Sequence, residues 1–166
     1  MSQMIAVYPT SASPPTWGHA DILRRSATIF GRVHWVAALN PSKAPVFSTQ
    51  TRLDMMQDYV DFFKLKNVLV ESHEGSIARY AESCGSKLII RGLRGAHDFP
   101  GECELALGYK GIDPEMETLC FFADPKLVGV SSSMVRELAL LGEDISSYVL
   151  ESVAQKLMRH LKRSGT

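Results

Sequence analysis

Thr16-Trp17-Gly18-His19 places a histidine three residues after a hydroxyl and directly after a glycine, where an apolar helical period begins. A glycine lets the backbone approach a ligand closely. A helix start offers free N–H groups and the positive end of a dipole to an anion. In that first turn, His19 can either cap the helix or set its imidazole against a phosphate held there. Ser131-Ser132-Ser133 poses the same choice before the stretch MVRELALL. One serine suffices as a cap, so three hydroxyls in a row also suit a polyphosphate lying across the helix start. Arg91-Gly92-Leu93-Arg94 follows the apolar run KLII with two guanidiniums, whose planar forks suit phosphate. The glycine between them predicts a turn. Lys43, in Pro41-Ser42-Lys43, draws interest only because it follows a strand.

These groups need elements to bring them together. Met4 to Tyr8 (MIAVY), Val33 to Leu39, Val68 to Val70, Lys87 to Ile90 and Glu117 to Ala123 read as five strands. Helical spacing predicts helices over 18–30, from Thr49 or Thr51 to about Phe63, 76–84, 101–109, from Met134 to Leu141, and 147–162. Strands alternating with helices imply βαβ units and a parallel sheet covered on both faces. The expected fold is α/β, one Rossmann-like doubly wound domain over residues 1–166 with a five-stranded parallel sheet. In such a sheet, ligands bind beyond the carboxyl ends of the strands, where the winding reverses. The opening loop, the Lys43 turn, the arginine pair and the serine triplet each follow a strand, so all four are expected at one edge.

Composition narrows the field. Eighteen basic residues balance eighteen acidic ones, which argues against a nucleic-acid partner. No apolar run approaches the ~20 residues of a membrane span, and no signal peptide opens the chain, so a cytoplasmic protein without a membrane partner is expected. Cys84, Cys103 and Cys120 form no CxxC pair, predicting reduced, mostly buried thiols and no zinc site.

Taken in order, the motifs resemble a known family. Thr16-x-Gly18-His19 has the (H/T)xGH form of the nucleotidylyltransferase superfamily. The full set is similar to the bacterial phosphopantetheine adenylyltransferase family: Tyr8-Pro9, Pro14, Pro41-Ser42-Lys43, Ile90-Arg91-Gly92-Leu93-Arg94, Asp98-Phe99-x-x-Glu102 and Val130-Ser131-Ser132-Ser133. That resemblance implies transfer of the adenylyl group of ATP to 4′-phosphopantetheine, giving dephospho-coenzyme A and pyrophosphate. It implies Mg²⁺ carried mainly on the ATP phosphates, no metal ligands from the protein, and a homo-oligomer, a hexamer in the family.

It also implies roles for residues. His19 would contact the α-phosphate. Ser11, in place of the family's threonine, would sit near both reacting phosphates beside Ala12. Lys43 and Arg91 would hold the acceptor phosphate, and the backbone at Ile77 would touch the pantetheine arm. Gly92, Leu93, Arg94 and Glu102 would line the ATP site. The loop of Leu127, Val128, Gly129 and Val130 would close on the nucleotide with Ser131, Ser132 and Ser133. The chain departs from the family in its opening loop, where Gly-Thr-Phe-Asp is Thr10-Ser11-Ala12-Ser13. Thr10 replaces a glycine, Ala12 an aromatic ring and Ser13 a carboxylate. Two alternatives stay open: a superfamily member with another phosphate acceptor, and a nucleotide- or coenzyme A-binding protein with weakened catalysis.

Overall fold

The computed structural model describes residues 4–39 and 46–164. Eleven elements alternate along them: β1 (Ile5–Thr10), α1 (Trp17–Ile29), β2 (Arg32–Leu39), α2 (Thr49–Phe63), β3 (Val68–Glu74), α3 (Ile77–Ser83), β4 (Leu88–Leu93), α4 (Phe99–Ile112), β5 (Glu117–Phe122), α5 (Ser132–Leu140) and α6 (Glu151–Ser164). The strands form one sheet in the order β3-β2-β1-β4-β5, every pairing parallel. This is the Rossmann-like α/β arrangement expected. No helix among the described residues is long and apolar enough to cross a membrane.

Side chains alternate across the sheet with period two and feed two cores. Ala6, Tyr8, Val33, Trp35 and Ile90 face a larger core shared with α1, α2, α5 and α6. Val7, Val36 and Ile89 face a smaller one, closed by Ile77, Ala78 and Ala81 of α3 and by Met116. The winding reverses between β1 and β4. There α1 leaves toward one face and α4 toward the other, opening a crevice at the carboxyl edge. The two strands meet at Val7–Ile89.

Several boundaries differ from the sequence reading, each for a physical reason. β1 runs two residues further, through Pro9 and Thr10, paired with Val36 and Ala37 of β2. Pro9 has no N–H to give, and its carbonyl faces Arg91 of β4, so its missing donor lies on the side where β1 has parted from β4. β3 extends to Glu74 because it is the sheet edge, where Glu71, Ser72 and His73 stay partly in water while their backbones pair with β2. Ser48, not Thr49 or Thr51, caps α2 by accepting from the Thr51 N–H at 3.1 Å. α4 starts earlier than expected, at Phe99, because Pro100 fits a first helical turn that needs no internal N–H. α6 begins only at Glu151, after a turn stitched by Asp144 to the Ser146 N–H at 2.9 Å. The thiols are less hidden than predicted: all three cysteines are free, Cys103 exposed and Cys84 and Cys120 half-buried.

Candidate active site

One cleft of about 660 Å³ opens at the carboxyl edge over the β1–β4 crevice, within the range of small-molecule sites. Ser11, His19, Arg91, Gly92, Arg94, Glu102, Leu127, Val130 and the three serines all line it. The histidine, the arginines and the serine triplet therefore share one cavity. Leu93, Val128 and Gly129 do not line it. Leu93, the last residue of β4, is packed away at 5% exposure. Ala12, expected beside the reacting phosphates, is wholly buried, backbone included, and does not line the cleft, because its left-handed turn packs it into the larger core. Ile77 is the first residue of α3, beyond β3, and its side chain belongs to the smaller core. Lys43 lies outside the described residues.

His19 is both cap and cleft residue. Its Nδ1 accepts from the Thr16 N–H at 3.1 Å and lies 2.9 Å from the Thr16 hydroxyl, closing a capping box at the start of α1. A backbone N–H can only donate, so Nδ1 carries the lone pair and the neutral ring holds its proton on Nε2. That Nε2–H has no described partner, and the ring lines the cleft. Burial, then the Arg94 charge, push the His19 pKa down to about 4. The ring is thus a fixed neutral donor at physiological pH.

Arg91 is held from below. Its Nε and Nη2 form a bidentate pair with Glu102 of α4, at 2.5 and 2.9 Å, and Nη1 reaches the Pro9 carbonyl at 3.5 Å. Burial works against this cation, and the bond to Glu102 more than offsets it, so its pKa stays above the ordinary value. Glu102 is therefore a clamp for Arg91 rather than an independent contact. Arg94 grips Asp98 through its backbone N–H at 2.9 Å and its guanidinium at 3.0 and 3.1 Å. That grip holds the Asp98 carboxyl below its usual pKa.

Gly92 has a different use from the one predicted. It lies inside β4, not in a turn, and a Cβ there would meet Ile22 Cδ1 of α1 at 2.5 Å. The missing side chain lets α1, and His19 with it, pack against the strand that carries Arg91.

The serine triplet divides its labour. Ser131 caps α5 by accepting from the Met134 N–H at 3.2 Å. The Ser132 hydroxyl donates to the Pro14 carbonyl at 2.8 Å, and Ser133 sits 3.2 Å from Ser131. The loop after β1, rich in proline, has few N–H groups of its own. Its carbonyls are taken up by side chains instead: Ser11 by Arg52, Ser13 by Arg136, Pro14 by Ser132 and, at 3.5 Å, Pro15 by Tyr59. Thr10 needs no positive φ, since it is extended in β1, where its hydroxyl accepts from Trp35 Nε1 at 3.1 Å. The left-handed residue is Ala12, at φ 46°. Sequence reading missed Arg136, which lines the cleft from the first turns of α5; its place three residues after Ser133 was the available signal. It also missed Arg52.

The fold and this rim define a nucleotide-handling α/β protein of the cytidylyltransferase-like class, whose family model matches residues 7–138. A phosphopantetheine adenylyltransferase of Caldanaerobacter subterraneus is 37% identical over 160 residues, 96% of this chain and 99% of that one. One from Dictyoglomus turgidum is 41% identical over 157 residues, 95% and 97% of the two chains. The nicotinic acid mononucleotide adenylyltransferase of Plasmodium falciparum superposes with a TM-score of 0.70 at 14% identity, covering 95% of this chain and 96% of that one. At that identity the likeness speaks for the fold alone. The chain belongs to the cytidylyltransferase-like family and, within it, to the phosphopantetheine adenylyltransferases.

Proposed function

We propose that the protein transfers the adenylyl group of ATP to 4′-phosphopantetheine, forming dephospho-coenzyme A and pyrophosphate. The carrying observation is His19, its ring fixed by a capping box and lining a cleft shared with Arg91, Arg94, Arg136 and the serines. An oxygen of the acceptor phosphate attacks the α-phosphorus as the bond to the pyrophosphate oxygen breaks. The pyrophosphate leaves with the electron pair, so no proton transfer and no covalent enzyme intermediate is required. Catalysis is positioning and charge stabilisation.

His19 donates to an α-phosphate oxygen, more strongly as negative charge gathers there. Arg91, braced by Glu102, holds the acceptor phosphate together with Lys43. Ser11 sits between the two phosphates. Arg94, Arg136 and the start of α5 take the rest of the triphosphate. Ile77 contributes at most its backbone to the pantetheine arm. Among the described residues no group of three His, Cys, Asp or Glu is placed to hold a metal, and Asp98 and Glu102 are engaged by Arg94 and Arg91. This donor set is compatible with Mg²⁺ carried on the ATP phosphates, where it would shield the departing pyrophosphate.

A cytoplasmic homo-oligomer, a hexamer on the family pattern, completes the proposal. Its support is α4, which buries no residue in the isolated chain and exposes Phe99, Leu105 and Leu107. Beside it, the edge strand β5 leaves Phe122 74% exposed. Exposed apolar side chains of this size suit an association face. The deciding assay follows pyrophosphate release from ATP with 4′-phosphopantetheine, against nicotinate mononucleotide and glycerol phosphate as acceptors, with and without Mg²⁺. Turnover with phosphopantetheine alone is expected; turnover with another acceptor, or with none, refutes the reading.

A further inference from the structure

Arg52 lies in the first turns of α2, only 7% exposed. Its Nη1 donates to the Ser11 carbonyl at 3.0 Å, and its Nε is buried with no partner. No described carboxylate forms an ion pair with it. A buried cation with one neutral acceptor weighs against the fold rather than supporting it, and burial pushes the Arg52 pKa below its ordinary value. A group that costs the fold stability is a place to look for a role in function.

The role follows from peptide geometry. The Ser11 carbonyl and the Ala12 N–H belong to one trans peptide unit, so they point in opposite directions. Holding the carbonyl on α2 turns the Ala12 N–H away from α2. Ser11 is exposed and lines the cleft, whereas Ala12 is wholly buried. No described hydrogen bond uses this N–H. Ala12 also sits at φ 46°, a left-handed conformation that costs a non-glycine residue about 1–2 kcal/mol. Such conformations persist only where the surroundings over-determine them.

We propose that Arg52 is a positioning residue: by gripping the Ser11 carbonyl, it locks the Ala12 turn and holds Ser11 at the cleft where the phosphates react. The proposal rests on the adenylyl-transfer reading and adds a residue outside the cleft lining. In this chain the anchor matters because Thr10-Ser11-Ala12-Ser13 contains neither a glycine to ease the turn nor a carboxylate to meet the guanidinium.

The test combines steady-state pyrophosphate release with thermal melting for the full-length protein, R52M and R52K. For R52M the expected result is a kcat reduced about 10- to 100-fold, within the range for a lost preorganised donor. Its KM for ATP should stay within about threefold and its Tm should be unchanged or higher, since a burdened cation has become a buried apolar chain. R52K, which keeps one donor for the carbonyl, should recover most of the rate. R52M with wild-type kcat overturns the proposal. So does a kcat loss that comes with a lower Tm or a failure to fold, which would make Arg52 a structural residue, or an R52K no faster than R52M. Unmodified protein with no turnover strikes the adenylyl-transfer reading itself.

Discussion

Two polar clusters, each built on a histidine, sit in different parts of this sheet. In the cleft lining, His19 ties Nδ1 to its own helix start and leaves Nε2–H without a described partner. Between β2, β3 and α3, His34 Nδ1 lies 2.9 Å from the Tyr80 hydroxyl and 3.2 Å from Glu71, and Tyr80 in turn donates to Glu71. Burial and the bond to Glu71 both raise the Tyr80 pKa, so that phenol stays neutral. The second cluster spends its donors on its own acceptors and lines no described cavity. The difference teaches what separates a site from a structural knot: donors held rigidly on one side and left without a partner on the other.

Replacing His19 tests that contrast hardest. H19A should lose about 10²–10³ in kcat, read by pyrophosphate release, while keeping its fold; near-normal turnover would place His19 among the structural caps. Acid sharpens the comparison next. The folded His19 pKa is depressed to about 4 against an ordinary 6.5, so the unfolded chain takes up a proton first as pH falls. The stability tied to neutral His19 is full above about 6.5 and is lost progressively down to about 4, on the order of 3 kcal/mol. Urea midpoints of wild type and H19Q at pH 7.5 and 4.5 should show a steeper acid loss in wild type. Equal losses in both would deny the shift.

Gly92→Ala comes third. Ile22 must move to admit the new Cβ, costing about 1 kcal/mol and shifting α1 against β4, so both Tm and kcat should fall modestly. A melt and a rate indistinguishable from wild type would mean that this packing does not set the site. The smallest effect belongs to the closed cluster. Tyr80→Phe should lower stability by about 1 kcal/mol and change kcat less than about twofold. A large loss of rate there would erase the distinction between the two histidines.

The sheet, its parallel sense and its working edge were legible because apolar runs of four to eight residues alternate with helical periods. Strand ends were not. Pro9 and Thr10 lack a strand signature, and their place in β1 depends on β2 lying alongside. The polar β3 extension likewise exists only through its neighbour. Of the site, His19, the arginines and the serines announced themselves by type and spacing. What stayed hidden was the traffic between distant segments: Glu102 bracing Arg91, Ser132 and Arg136 fastening the loop after β1, and Gly92 making room for Ile22. The last three pairs lie 70 or more residues apart, and Arg91 and Glu102, though only eleven apart, sit on a strand and a helix whose packing no spacing announces. Lys43 lies outside the described residues.

The fastening of that first loop has a consequence for biosynthesis. Two of its four carbonyl anchors, Ser132 and Arg136, sit in the final quarter of the polypeptide. A nascent chain that has already emerged with both His19 and Arg91 still lacks the clasp that shapes residues 13 and 14. The catalyst is therefore armed late in its own synthesis, and a product truncated before α5 would carry most of the reactive groups yet remain idle.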